Sequence, residues 1–439
     1  MPRNFTISQI TALAPDDASV KSSKEISQAR NWKTLGVNES VLWGECQGSG
    51  KSPYQTIVDF TDIAFKCSCP SRKFPCKHGL GLLLYYERDR ERFPNIEDAP
   101  NWVQEWQIAR AARQEKKAPV AAAEEHPKAF EDSAAAARRH DRVTAGLVEL
   151  KLWLCDLLRH GLADVSTKGY SYWDNIAARL IDAQAPGLAR DLREMAGISS
   201  SGPGWQLRLL RQISLVHLLI EGYGNRSELP EPTVGDILNK IGWTVGKEDL
   251  SRLEPVNDHW FVVGQRIVEE DRLRARRTWL VGQASGRTAM LLHFAHGIAP
   301  FETIISTGDV VSGDIVYYPG ANPLRAALNS YSIVEHGSLS RDGFSTLDDA
   351  IRDYSQAVCK NPWIERYPLF LNSVTPGLIS GKLFVSDNEC KMVPVALNYD
   401  RTWKLLALSG SRPIGIFAEW DGDAFWPLSI FDNGKAEPI

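Results

Sequence analysis

The residues of this chain best suited to chemistry gather in one short stretch. KCSCPSRKFPCKHGL, residues 66–80, sets Cys67, Cys69, Cys76 and His78 close together, using three of seven cysteines and one of nine histidines. Zn²⁺ takes four such soft or borderline ligands at tetrahedral corners, with Zn–S about 2.3 Å and Zn–N about 2.0–2.1 Å. Cys67 and Cys69 stand at i and i+2 at the end of a predicted strand, so their side chains share a face, and Pro70 stops that strand where the backbone must bend round an ion. Cys76 and His78 are also i and i+2, which on a regular helix separates them by about 200°. They are therefore expected at a helix start, where the positive end of the dipole favours the thiolate that binds metal. Pro, Lys and Arg flank the four ligands where a core would carry Val and Leu. With every corner filled by protein, the zinc is expected to be structural, because a water-activating zinc keeps one position open.

The other cysteines, Cys46, Cys155, Cys359 and Cys390, are scattered and read as small core fillers. The N-terminus lacks the layout of a signal peptide, and no apolar run approaches the ~18 residues of a membrane span, so a cytoplasmic protein without membrane contact is expected. In a reducing cytosol an odd number of cysteines is poorly read as a disulfide framework.

The elements that must position these ligands can be read from periodicity. VLWGEC, YQTIVDF and IAFKCSC, separated by the turn-rich QGSGKSP, read as two or three short strands with a hairpin loop. HGLGLLLYYERDRERF then reads as a helix leaving a buried site for solvent, and a second helix over residues 101–116 places Trp102 and Trp106 on one face. The C-x-C, short spacer and C-x-H, on strands followed by an apolar helix, resemble the SWIM-type zinc finger over roughly residues 40–90. That resemblance implies a C-x-C on a β-hairpin, a C-x-H opening a helix, one zinc per chain, and binding of DNA or protein. The order of finger first and long remainder after it is also similar to bacterial SWIM proteins encoded beside MoxR-type AAA+ ATPases and von Willebrand A-domain proteins. It implies such a protein as partner.

The expected fold class is α+β: a small zinc-binding finger, then a helical domain, then a β-rich C-terminal domain. The boundaries read as 1–114 for the N-terminal region, with the finger core at about 40–92, then 115–137 as an Ala/Glu/Lys/Pro-rich linker, 138–250 as helical and 251–439 as β-rich. At 439 residues with 43% apolar composition, the chain can bury several cores without metal staples.

Several motifs fail on inspection. GECQGSGKS, residues 44–52, imitates a phosphate-binding loop, but Glu45 stands where the first Gly is required and a strand-like segment follows. No nucleotide is expected there. His293 and His296 would share a helix face, yet their surroundings alternate as a strand, where i and i+3 face oppositely. Arg272, Arg274 and Arg276 read as a solvated strip compensated by Glu269, Glu270 and Asp271 rather than a phosphate track. Trp420, Phe425 and Trp426 read as core packing before partner anchors. No catalytic constellation appears, so no enzyme is expected.

The net charge is −4, so any nucleic-acid contact must be local. Lys66, Arg72, Lys73 and Lys77 surround the ligands with no acid before Tyr86, and three thiolates with Zn²⁺ subtract only one charge. Three or four phosphate contacts would give weak, salt-sensitive binding to DNA or RNA. A protein partner such as an AAA+ ATPase is the alternative.

Overall fold

A computed structural model describes residues 7–14, 17–47, 52–60, 64–71, 73, 75–96, 98–117, 133–243, 245–270, 273–297, 299, 301, 303–339 and 343–439. The N-terminal part contains α1 (Ile7–Ala12), α2 (Asp17–Ile26), β1 (Trp32–Val37), β2 (Val41–Cys46), β3 (Tyr54–Asp59), β4 (Ala64–Cys67), α3 (Lys77–Arg88) and α4 (Asn101–Lys117). The strands form one antiparallel sheet in sequence order. Both faces are buried, which is why its central strands read as near-continuous apolar runs rather than as clean alternation. Leu42, Cys46, Val58 and Phe65 pack on the leucines of α3. On the opposite face Val41, Trp43 and Ile57 meet Val103, with Trp102 and Trp106 of α4 packed beside them.

Helices α1 and α2 and strand β1 are additions to the expected finger. Helix α2 lies close on α3 because both are built of small residues where they meet. Ser19 and Ser23 of α2 and Ser27 just beyond it are buried, and a Cβ at Gly81 of α3 would stand 2.8 Å from Ile26 Cγ2 and 3.1 Å from the Ser23 carbonyl oxygen. Such glycines cost helix propensity and are retained where backbones must approach.

Helix α5 (Ser133–His160) opens the helical part, so regular helix takes up both ends of the expected 115–137 linker, and residues 118–132 lie outside the described residues. With α6 (Tyr170–Asp182), α7 (Pro186–Ile198), α8 (Trp205–Gly224) and α9 (Glu231–Ile241) it encloses a core of Leu147, Leu154, Trp173, Leu192, Leu209 and Tyr223. The short α10 (Lys247–Leu250) leads out of it.

The C-terminal part is β-rich, as the period-two pattern implied, and it resolves into two sheets. Strands β5 (Val256–Glu270), β6 (Leu273–Gly282), β7 (Thr288–His296), β8 (Asp309–Tyr317) and β9 (Arg325–His336) form a closed barrel in the order β5-β6-β7-β9-β8. A short parallel pairing of Met290 with Arg325 and Leu291 with Ala326 closes it. Helix α11 (Leu347–Lys360) follows, capped by the Thr346 side chain accepting from the Asp349 N–H. Strands β10 (Tyr367–Ile379), β11 (Lys382–Ser386), β12 (Met392–Pro394), β13 (Ile414–Trp420), β14 (Phe425–Asp432) and β15 (Lys435–Pro438) form the second sheet, ordered β12-β11-β10-β13-β14-β15, with α12 (Thr402–Ser409) between β12 and β13.

The two sheets are joined by a buried carboxylate. Glu419 of β13 accepts from Arg277 Nε at 2.7 Å and Nη2 at 2.9 Å, from Trp279 Nε1 at 3.0 Å and from Arg266 Nη1 at 3.1 Å. Arg266 also stacks over Trp426, its Cζ 3.4 Å from the ring centroid. Trp420 and Phe425 are buried core residues, and Trp426 is half-buried against the same core. Among the described residues, no helix is long and apolar enough to cross a membrane.

Three readings of single residues are corrected. Cys359 and Cys390 are exposed rather than core, and Cys155 is half-buried, while Cys46 is fully buried as expected. Cys390 is exposed in the turn between β11 and β12, its N–H donating to the Asp387 carbonyl oxygen. The Arg strip is not a solvated face. Arg276 is buried, donating to the Thr303 carbonyl and hydroxyl oxygens, and Arg274 reaches the Ala299 carbonyl. Asp271 and Arg272 lie outside the described residues.

Candidate metal centre

Strand β4 delivers Cys67 to the α3 side of the sheet, since it pairs with Thr56, two residues from the inward-facing Val58. Beyond β4 the chain turns through Cys69 and Pro70. Cys76 returns as the residue capping α3, in extended conformation (φ −75°, ψ 164°), and His78 follows on the first turn. The sequence reading placed both there, and the cap geometry explains how residues i and i+2 converge: only one of them is helical.

One ligand atom from each of Cys67, Cys69, Cys76 and His78 lies within 4.8 Å of the other three. His78 Nδ1 is 3.8 Å from Cys67 Sγ and 4.0 Å from Cys76 Sγ. Zn–S of about 2.3 Å places tetrahedral corners about 3.8 Å apart, so the set needs little movement to close on an ion. The four residues are positioned to bind one zinc ion and present no fifth ligand of this kind among the described residues. Thr56 Oγ1 stands 3.3 Å from Cys67 Sγ, and the Tyr54 ring packs on His78 with centroids 5.1 Å apart, so β3 orients two of the ligands from behind.

The thiols are prepared unequally. A hydrogen bond from Cys67 holds Cys76 down to about 4 against the effect of burial, helped by His78 and the Gly79 N–H at the helix start. Cys67 is correspondingly pushed up, first by keeping the proton it shares with Cys76 and then by burial. Burial also raises Cys69. Cys46 lies near enough to feel Cys69 and Cys76, but burial pushes it up to about 11 and it stands outside the ligand set.

The basic residues do not form one patch. Lys66 pairs with Ile57 and projects from the face of β4 opposite to Cys67, towards the α4 side. Lys73 and Lys77 are exposed on the other side. They rim a groove of about 530 Å³ between α2 and the zinc loop, with walls from Ala18, Ile26, Tyr54 and Pro70. Arg72 and Lys51 lie outside the described residues. The α2 wall is a part of the site that sequence reasoning missed, since α2 lies outside the stretch that resembles a finger. Residues 48–51 of the phosphate-loop look-alike lie outside the described residues; Gly44 to Cys46 belong to β2, and β3 starts at Tyr54, so a strand stands where a phosphate-binding loop needs a helix. His293 lies on strand β7, near Thr303, and burial pushes it down to about 4.

Comparison with protein families agrees with this geometry in two segments. The model of the SWIM zinc finger matches residues 66–87, and that of the SWIM-associated four-helix bundle domain matches residues 138–241. No curated protein and no solved structure matches the chain.

Proposed function

We propose that this zinc-binding protein works by holding a macromolecule and carries out no chemistry of its own, with nucleic acid, DNA or RNA, as the ligand of the finger. The groove beside the zinc loop carries the reading. Lys73 and Lys77 stand on its rim, and Tyr54, Pro70 and Ile26 supply flat apolar surface inside it. Lysines beside apolar walls suit a phosphate with its sugar or base. The zinc holds the loop that carries Lys73 and Pro70 and fixes the start of α3 that carries Lys77.

Each neutralised phosphate lowers the slope of log K against log salt by about 0.7–0.9, so two or three contacts predict a slope between about −1.4 and −2.7. Anisotropy titrations at several salt concentrations test this. Lys73→Ala with Lys77→Ala should flatten the slope by roughly 1.5 and leave zinc bound, while Lys66→Ala, on the opposite face, should change it little. Absence of binding to both DNA and RNA at low salt would overturn the reading.

One observation favours a second reading, a protein partner such as an AAA+ ATPase. Trp403 on α12 is 76% exposed and Leu397 is 85% exposed, and exposed Trp is a common interface anchor. Trp403→Ala should then abolish capture of the ATPase, with shallow salt dependence, while the lysine variants bind it normally.

A further inference from the structure

The wall that α2 gives the finger groove is one stripe of its surface. Ser19 and Ser23, with Ser27 just beyond the helix, form the buried edge against α3. The residues next to them round the helix, Ala18, Ser22 and Ile26, recur at every fourth position and line the groove. Ala18 and Ser22 are small, so this wall leaves room in front of it. Tyr54, at the start of β3, lines the same groove, half-buried, with its ring resting on His78 at a centroid distance of 5.1 Å and a tilt of 45°. Because His78 belongs to the ligand set, bound metal fixes the residue that backs the Tyr54 ring. The groove of about 530 Å³ is therefore a slot with an aromatic ring inside and two exposed lysines, Lys73 and Lys77, on its rim.

A slot of this size is on the scale of a small-molecule site, and a single planar base fits it. A duplex cannot use it. Its bases are paired and stacked inside, and what it turns outward is phosphate and sugar, so it meets the rim lysines and leaves the slot empty. An unpaired base of a single strand can instead be splayed out and laid on an aromatic ring, while the phosphates beside it meet positive charge. Ser22 and Gln47, which also line the groove, offer donors and acceptors to the edge of such a base.

We infer that the groove selects single strands over duplexes: one unpaired base enters between α2 and the zinc loop and lies on Tyr54, with neighbouring phosphates on Lys73 and Lys77. This deepens the nucleic-acid reading of the finger and rests on it. The selection follows from shape. Both forms of nucleic acid reach the lysines, and only the single strand adds stacking inside the slot.

The test is fluorescence anisotropy of the full, zinc-loaded chain at low salt, titrated against labelled oligothymidylate, oligouridylate and a DNA duplex of the same length. At least one single strand should bind tighter than the duplex by about five- to 150-fold, the range that stacking of one base on an aromatic side chain supplies. The tighter of the two strands marks the ligand as DNA or RNA. Tyr54→Ala should remove the advantage and spare duplex binding. Because Tyr54 backs a zinc ligand, that variant can also loosen the loop, so Ser22→Leu serves as the second probe. It fills the slot from α2, lies outside the ligand set, and should bring the single strand down to the affinity of the duplex with zinc still bound. Duplex binding as tight as that of both single strands, or a single-strand preference that survives in zinc-loaded Ser22→Leu, would overturn the inference and leave nucleic-acid binding by the finger standing. No binding of any of the three would overturn both.

Discussion

The four zinc ligands were legible as residues because their types and spacing are improbable in a core and sufficient for a metal. Glu419 was not. Nothing around it in GIFAEWDG distinguishes it from a surface acid, and its partners Arg277 and Arg266 come from strands 142 and 153 positions earlier. Cys359 and Cys390 were misread because a lone cysteine is usually buried and no local pattern marked their exposed places. Burial would push the Glu419 carboxyl up, but hydrogen bonds and charge from Arg277, joined by Trp279 and Arg266, hold it below the usual carboxylate range. Glu419→Gln, which removes the buried carboxylate that Arg266 and Arg277 share, should therefore destabilise the C-terminal part by about 3–5 kcal/mol. A depressed folded pKa gives stability that is present above the unfolded value of about 4.3 and lost as pH falls through the folded one. Denaturant unfolding at neutral pH and near pH 3 should show the gap between wild type and variant narrowing in acid. An equal gap at both values would show that Glu419 is not charged in the fold.

Among the elements, those with one clear period were legible. Helix α3, helix α4 and the central strands β2 and β3 were readable from apolar spacing and turn residues. Strand β1 was hidden by its short, half-polar sequence WKTLGV, and α2 by a buried face made of serines instead of leucines. That serine face makes a prediction at this scale. Gly81→Ala adds helix propensity of about 1 kcal/mol. The new methyl would nevertheless press on Ile26 and the Ser23 carbonyl, and overpacking of this kind costs about 1–3 kcal/mol. A net loss of up to about 2 kcal/mol by chemical denaturation is expected, with zinc still bound. A stabilised Gly81→Ala protein would mean that α2 does not sit against α3 as described.

For the whole molecule, the order of finger, helical bundle and β-rich part followed from the change of period along the chain. The closure of the barrel did not, because it depends on a two-residue parallel contact between β7 and β9, far too small to leave a sequence signal. Nor did the packing of Ile304 into the finger's own core, which ties the first part of the molecule to the third. Removing zinc should loosen the ligand loop and the start of α3, while the bundle core and the barrel's interior core, which include no finger residue, persist. Hydrogen exchange after chelation should show lost protection within residues 64–88 and retained protection within 138–241. Collapse of the bundle on chelation would mean that these units do not stand on separate cores. The most direct test of the account is the zinc-to-protein ratio after dialysis, measured on the wild type and on a Cys69→Ser, Cys76→Ser double variant. One zinc per chain in the wild type and almost none in the variant is the expected result; a wild type without zinc, or a variant that keeps it, would contradict the assignment of the metal centre.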